Sequence, residues 1–162
     1  MGAIVTWVMS VRVRYLLGRI LAALRPACGP QVAALCWRRP AGAAELEILF
    51  VTTRRSGRWT PPKGGLMKGK TGAESAAEEA WEEAGVRGAV SDAPLGVYRA
   101  LKYRPAKGWE KLSVTLYPLE VETQAEEFDE KGQRELRWFP QSEAPAQVRE
   151  AALRRLIARF RP

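Results

Sequence analysis

Histidine is absent from the 162 residues. That removes the base of Ser-His-Asp and Cys-His triads and the commonest zinc ligand. Any acid–base chemistry must come from carboxylates, lysine, tyrosine or metal-bound water. Cysteine occurs twice, at Cys28 and Cys36. The pair fits neither a disulfide framework nor a metal knuckle, so a reducing cytoplasm is the expected compartment. Acidic residues are missing from residues 1–44, which carry Arg12, Arg14, Arg19, Arg25, Arg38 and Arg39. Long apolar runs are missing too. Ala3 to Met9 is too short to span a bilayer and arginines interrupt anything longer. No small-residue cleavage site follows a clean apolar core, so secretion is not expected.

What remains is the composition of one domain, large enough to bury a core without disulfide or metal staples. The net charge of +8 resembles a nucleic-acid signal until it is located. Beyond residue 44, twenty basic residues face eighteen acidic ones, so most of the positive field belongs to the beginning of the chain. Residues 1–27 are read as a basic amphipathic arm, with Leu17, Ile20, Leu21 and Leu24 as its apolar stripe. Two readings stand for it. It is an appended helix packing on the domain or an over-long start, or it is a helix that touches anionic membrane, nucleic acid or a partner. Residues 28–162 form the domain.

Within the domain, Gln31 to Arg38 and Glu45 to Thr53 read as strands, the second apolar on both faces towards its end. Arg54-Arg55-Ser56-Gly57-Arg58 is a basic turn leading into a glycine-rich loop. From Ala73 to Ala84 the alanines recur at helical spacing and make one narrow, closely packing face. Glu79, Glu82 and Glu83 share another face, where three like charges repel unless a hard cation such as Mg²⁺ joins them. Gly85 suits the left-handed position that closes a helix. Beyond it, Val86 to Leu95 reads as a short strand and loop, and Gly96 to Tyr103 and Lys111 to Val121 as strands. Pro105 to Trp109 is a turn, Glu122 to Gln133 an acidic loop, Glu135 to Phe139 a last strand, and Arg149 to Phe160 an amphipathic helix.

The stretch from Pro61 to Val86 resembles the Nudix box, G-x5-E-x7-R-E-U-x-E-E-x-G-U with U aliphatic. Gly64, Glu79, Glu82, Glu83, Gly85 and Val86 fall on its positions without a gap, and Ala80 stands for the aliphatic. Lys70 replaces the first Glu, Glu78 replaces the Arg, and Met67 stands where many members place a further acid. The resemblance implies an α/β fold, a Nudix-like α/β/α sandwich with a mixed sheet between helices. It implies a hydrolase in which water attacks a phosphorus of a diphosphate, with Mg²⁺ or Mn²⁺ as cofactor. By resemblance Glu79 and Glu83 are metal ligands, and Glu82 is a further ligand or the base. Glu79 and Glu82 are thus the catalytic candidates. A late acid completes the metal set, with Glu126 ranked ahead of Glu127 and Glu130.

Trp59 to Gly64 and the run Glu130 to Phe139 look like the branch containing diphosphoinositol polyphosphate and diadenosine polyphosphate hydrolases. A phosphate-rich small molecule is therefore the expected substrate, with Arg54, Arg58, Lys63, Gly64, Arg99 and Lys102 as its binding residues. The rival is a catalytically weak Nudix-fold module that binds RNA or an acidic partner, which the altered loop half of the box favours. In the family, the residues at positions 70 and 78 are Glu and Arg, an ion pair tying loop to helix. Here both signs are reversed, which predicts that Lys70 and Glu78 still face each other.

Overall fold

The computed structural model describes residues 30–104 and 108–162, the side chain of Arg104 excepted. The arm of residues 1–27 and Cys28 lie outside the described residues, as does most of the turn read over Pro105 to Trp109. The strands are β1 Pro30–Arg38, β2 Glu47–Thr52, β3 Trp59–Thr60 and β4 Lys63–Gly65. Helix α1, Gly72–Ala84, follows, and then β5 Val86–Val90, β6 Gly96–Arg104, β7 Gly108–Gln124 and β8 Leu136–Pro140. Two helices close the chain, α2 Ala144–Gln147 and α3 Ala151–Arg159.

All eight strands join one mixed sheet, ordered β3-β2-β1-β7-β5, with β4 on β1, β6 on β7 and β8 on β2. The β1–β7 pair is parallel and the others antiparallel. Strand β1 sits in the middle because both of its faces are apolar. Val32, Ala34 and Cys36 turn to one core, and Ala33, Leu35 and Trp37 to the other. Helix α1 covers the first core with Ala76, Ala80 and Ala84, while Leu153, Ile157 and Phe160 close the second. The α/β/α layering expected from the sequence is thus present. Fully burying a Leu or Ile side chain contributes about 1.5–3 kcal/mol, so Leu153 and Ile157, both 0% exposed, anchor α3.

Strand β1 also changes partners along its length. Trp37 and Arg38 pair with β2, whereas Gln31 to Ala33 pair with β4. The fork carries Lys63-Gly64-Gly65 up to the helix that follows. That helix begins at a capping box. The Thr71 hydroxyl accepts from the Glu74 N–H at 3.1 Å, and the Glu74 carboxylate accepts from the Thr71 N–H at 2.7 Å. Such a cap contributes about 1 kcal/mol. Gly85 ends the helix at φ 66°, and a Cβ there would also lie 2.5 Å from the Phe128 ring. Both its conformation and its neighbour therefore require glycine.

Strand β7 is longer than its sequence pattern. It runs to Gln124, into the stretch expected to be acidic loop, because β5 pairs with Leu119 to Gln124 across a bulge between Arg87 and Gly88. A Cβ on Gly88 would lie 1.8 Å from the Glu120 carbonyl oxygen, so only glycine lets the two strands approach. Strands β3 and β4 and the short helix α2 were not among the expected elements.

Candidate active site

Helix α1 carries the three glutamates to the end of the sheet where β4 enters. Glu83 is only 4% exposed. Its Oε2 accepts from the Lys63 N–H at 3.2 Å and its Oε1 from Arg134 Nη2 at 2.5 Å. Glu79 lies against Gly64 so closely that a Cβ at that position would be 1.8 Å from its Oε1. Any side chain at position 64 would therefore have to displace the Glu79 carboxylate.

Burial pushes the Glu79 carboxyl up to about 7, and the charges of Glu83, Glu82 and Glu130 push the same way. Glu83 is also raised by burial, with Lys63 and Arg134 acting against the rise. Lys63 is lowered by burial, against the pull of Glu83. Burial, then Glu83, raises the Cys36 thiol well above its ordinary range, which leaves it no role as a nucleophile.

A loop from the far end of the chain closes the cluster. Arg134 donates through Nε to Glu130 at 2.7 Å and through Nη1 to the Thr52 carbonyl at 3.1 Å, besides its bond to Glu83. Glu130 also pairs with Arg54. Its own N–H reaches the Glu82 carbonyl at 3.1 Å, tying this loop to the end of α1. The acid brought to the helix is thus Glu130. Glu126, ranked first from the sequence, is exposed and has no hydrogen bond or ion pair among the described residues, and Glu127 is exposed and pairs with Lys131. The reason is local geometry. Strand β7 runs on to Gln124, Ala125 N–H bonds the Gly85 carbonyl at 2.8 Å, and the chain turns inward only at the next bend, before Gly132 at φ 78°.

The donor set is hard oxygen throughout, with four carboxylates in mutual repulsion and a cradle at Gly64. Its chemistry fits Mg²⁺ or Mn²⁺. Among the described residues, however, no three acidic side chains converge as they stand on a point that would hold an ion. Glu83 and Glu130 are instead drawn to Arg134.

Beside this cluster opens a cavity of about 600 Å³. Of the residues expected to bind a phosphate-rich ligand, Arg54, Arg58, Lys63, Gly64 and Lys102 line it. Arg99 does not. Arg99 is exposed and lies earlier on β6 than Ala100 to Tyr103, the part of that strand which lines the cavity. The sequence reading passed over Arg55, Arg134 and Arg149, which also line the wall, and over Trp59, Tyr103 and Trp109. Arg55 had a signal, being next to Arg54 in the basic turn. Across the glycine-rich loop, Lys70 Nζ lies 2.6 Å from Glu78 Oε2, so the pair with reversed signs does meet.

A mixed sheet between helices, with a glycine-rich loop feeding a glutamate-bearing helix beside a basic cavity, defines a class of layered α/β domains. The chain belongs to the NUDIX domain family, whose match covers residues 28–160. Nudix hydrolase 12, mitochondrial, of Arabidopsis thaliana is 32% identical over 119 residues, 72% of this chain and 59% of that protein. Nudix hydrolase 13, mitochondrial, of the same plant is 31% identical over 108 residues, 62% of this chain and 52% of that protein. The matches thus span little more than half the length of these curated relatives. Among solved structures, an Ap4A hydrolase binary complex from C. elegans superposes with TM-score 0.58 at 18% identity, covering 81% of this chain and 93% of that one. The MutT protein from Methanosarcina mazei Go1 gives TM-score 0.59 at 20% identity, covering 85% and 95%. Both likenesses show the shared fold.

Proposed function

We propose that this protein is a divalent-metal-dependent pyrophosphohydrolase of nucleoside- or inositol-polyphosphate-type substrates. One observation carries the reading: the carboxylate cluster of the box helix, with Glu83 buried, meets through Glu83 a cavity walled by arginine and lysine. When bound, Mg²⁺ or Mn²⁺ supplies charge neutralisation at the diphosphate and acidifies water. Glu79, Glu82 and Glu83 from α1, with Glu130 from the late loop, are the residues that would hold it.

The chain's own residues do the remaining work. Arg54, Arg58 and Lys102 hold the outer phosphates of the substrate. Lys63 fixes Glu83 through its backbone N–H and offers its side chain to the cavity, where burial weakens its hold on a proton. Gly64 admits the diphosphate close to the backbone while leaving room for Glu79. Water attacks phosphorus, the bridging P–O bond breaks, and the leaving phosphate takes the electron pair. Glu79 or Glu82 takes the proton from water.

The solved Ap4A hydrolase with this fold and the branch-like motifs make dinucleoside polyphosphates and diphosphoinositol polyphosphates the first substrates to try. Each would be incubated with the protein in Mg²⁺, in Mn²⁺ and in chelator, and the products separated by ion exchange. Turnover that requires the metal supports the proposal. Binding of these compounds without turnover in either metal would overturn it in favour of the weak binding module.

A further inference from the structure

We infer that Arg134 is a positioning residue that stands in for the divalent cation: it holds Glu83 and Glu130 in the metal-free protein and yields Glu83 when an ion arrives. The inference rests on reading the α1 carboxylates as the metal site. Its observations are geometric. All three guanidinium nitrogens of Arg134 are engaged, by Glu83, Glu130 and the Thr52 carbonyl, which come from helix, loop and strand. Its side chain is 10% exposed, so the pairing occurs where water screens little. Glu83 is as deeply placed, and a buried carboxylate left alone beside Glu79 and Glu82 would be costly. A guanidinium answers this need, because its planar fork serves two carboxylates at once.

The same pairing explains why the carboxylates fail to converge. Glu83 and Glu130 are turned to the guanidinium, leaving Glu79 against Gly64. An ion coordinated by Glu83 would meet the Arg134 charge at close range, and the two cations would repel while competing for one carboxylate. Arg134 has a second destination. It lines the cavity, so a nitrogen released from Glu83 has substrate phosphate oxygens as its next partners. Metal and substrate phosphate would then arrive as mutually supporting events. Neighbouring charges set the background: Lys63 and Arg54 also face these carboxylates, but Lys63 reaches Glu83 only by its N–H and Arg54 pairs with Glu130 alone.

The test is MnCl₂ binding to the full chain without substrate, followed by the paramagnetic resonance of free Mn²⁺, for wild type, R134Q and R134K. Removing one like charge a few ångströms from the ion predicts Mn²⁺ binding to R134Q at least about tenfold tighter than to wild type. R134K keeps the charge but lacks the fork, so it releases Glu83 and gains less; it carries the test should R134Q fail to fold. In chelator both variants melt below wild type, and Mn²⁺ raises their melting temperatures by more than it raises wild type's. A merely structural arginine gives the opposite result in binding, with Mn²⁺ held equally or more weakly by both variants, and that result overturns the inference alone. Failure of all three proteins to bind Mn²⁺ overturns the metal reading, and this inference with it.

Discussion

Replacing Glu79 by Gln in the metal-free protein measures how much repulsion is stored beside Gly64. The Glu79 carboxyl rises from 4.5 to about 7, through burial first and then Glu83, Glu82 and Glu130. A folded value above the unfolded one means that the protonated form is favoured by folding. That contribution is complete below about pH 4.5 and is lost as pH rises through about 7, where the folded protein must carry the charge. The full shift corresponds to about 3 kcal/mol. Glu79 is half-buried, and solvent screening reduces the expected cost above neutrality to about 1–2 kcal/mol. Glu79→Gln never charges. Its stability relative to wild type should therefore climb between about pH 4.5 and 7 and level off above, worth a few degrees of melting temperature for a domain of this size. The assay is thermal or urea unfolding of both proteins in chelator from pH 4.5 to 8.5, repeated with Mg²⁺. The metal should stabilise wild type and leave the variant nearly unmoved. A variant equal to wild type at pH 8, or one whose advantage is the same at every pH, would refute the reasoning.

Glu83→Gln should abolish divalent-dependent turnover with the circular dichroism spectrum intact; full activity in a phosphate-release assay would remove Glu83 from the site. Reversing both charges of the exposed Lys70–Glu78 pair, to Glu and Arg, should preserve activity, whereas either change alone sets like charges in contact and lowers it. A double-mutant cycle on melting temperature should give a coupling of about 0–1 kcal/mol, and no coupling would show that the pair does not hold the loop. Deleting residues 1–25 should leave hydrolysis unchanged while weakening retention on anionic vesicles or nucleic acid, a loss that added salt should imitate in the intact chain. Lost hydrolysis in a folded deletion variant would place the arm in the active site.

The parts of this molecule written in local pattern could be read from sequence. The alanine face of α1, its glycine stop and the two-faced apolarity of β2 each follow from local pattern, and each is where the pattern placed it. The start of α1 had a signal as well, Thr71 and Glu74 at capping-box spacing. Strands β3 and β4 span two and three residues and exist only because β2 and β1 offer them edges, which no window of sequence contains. Arg99 falls outside the cavity because only the later part of β6, from Ala100 to Tyr103, reaches it, and no local pattern marks where along a strand a cavity begins. Glu126 gave way to Glu130 because the strand outlasted its pattern and delayed the turn. Arg134 was invisible for another reason: its meaning lies in three partners, two of them fifty-one and eighty-two positions away in the chain.

The parallel pairing of β1 with β7 bears on how the chain comes to be folded. Pro30 to Trp37 find their β7 partners only at Ser113 to Glu120, so the central ladder cannot close until nearly the whole domain is available. A long loop must be ordered before that contact offers any return, which places the domain among slower folders. During synthesis the run Val32 to Trp37, apolar on both faces, has only its short pairings with β2 and β4 until β7 emerges. Chaperone demand and aggregation on overexpression should therefore concentrate on β1, and a polar substitution there at Ala34 would relieve them only by burying a polar group in the native core.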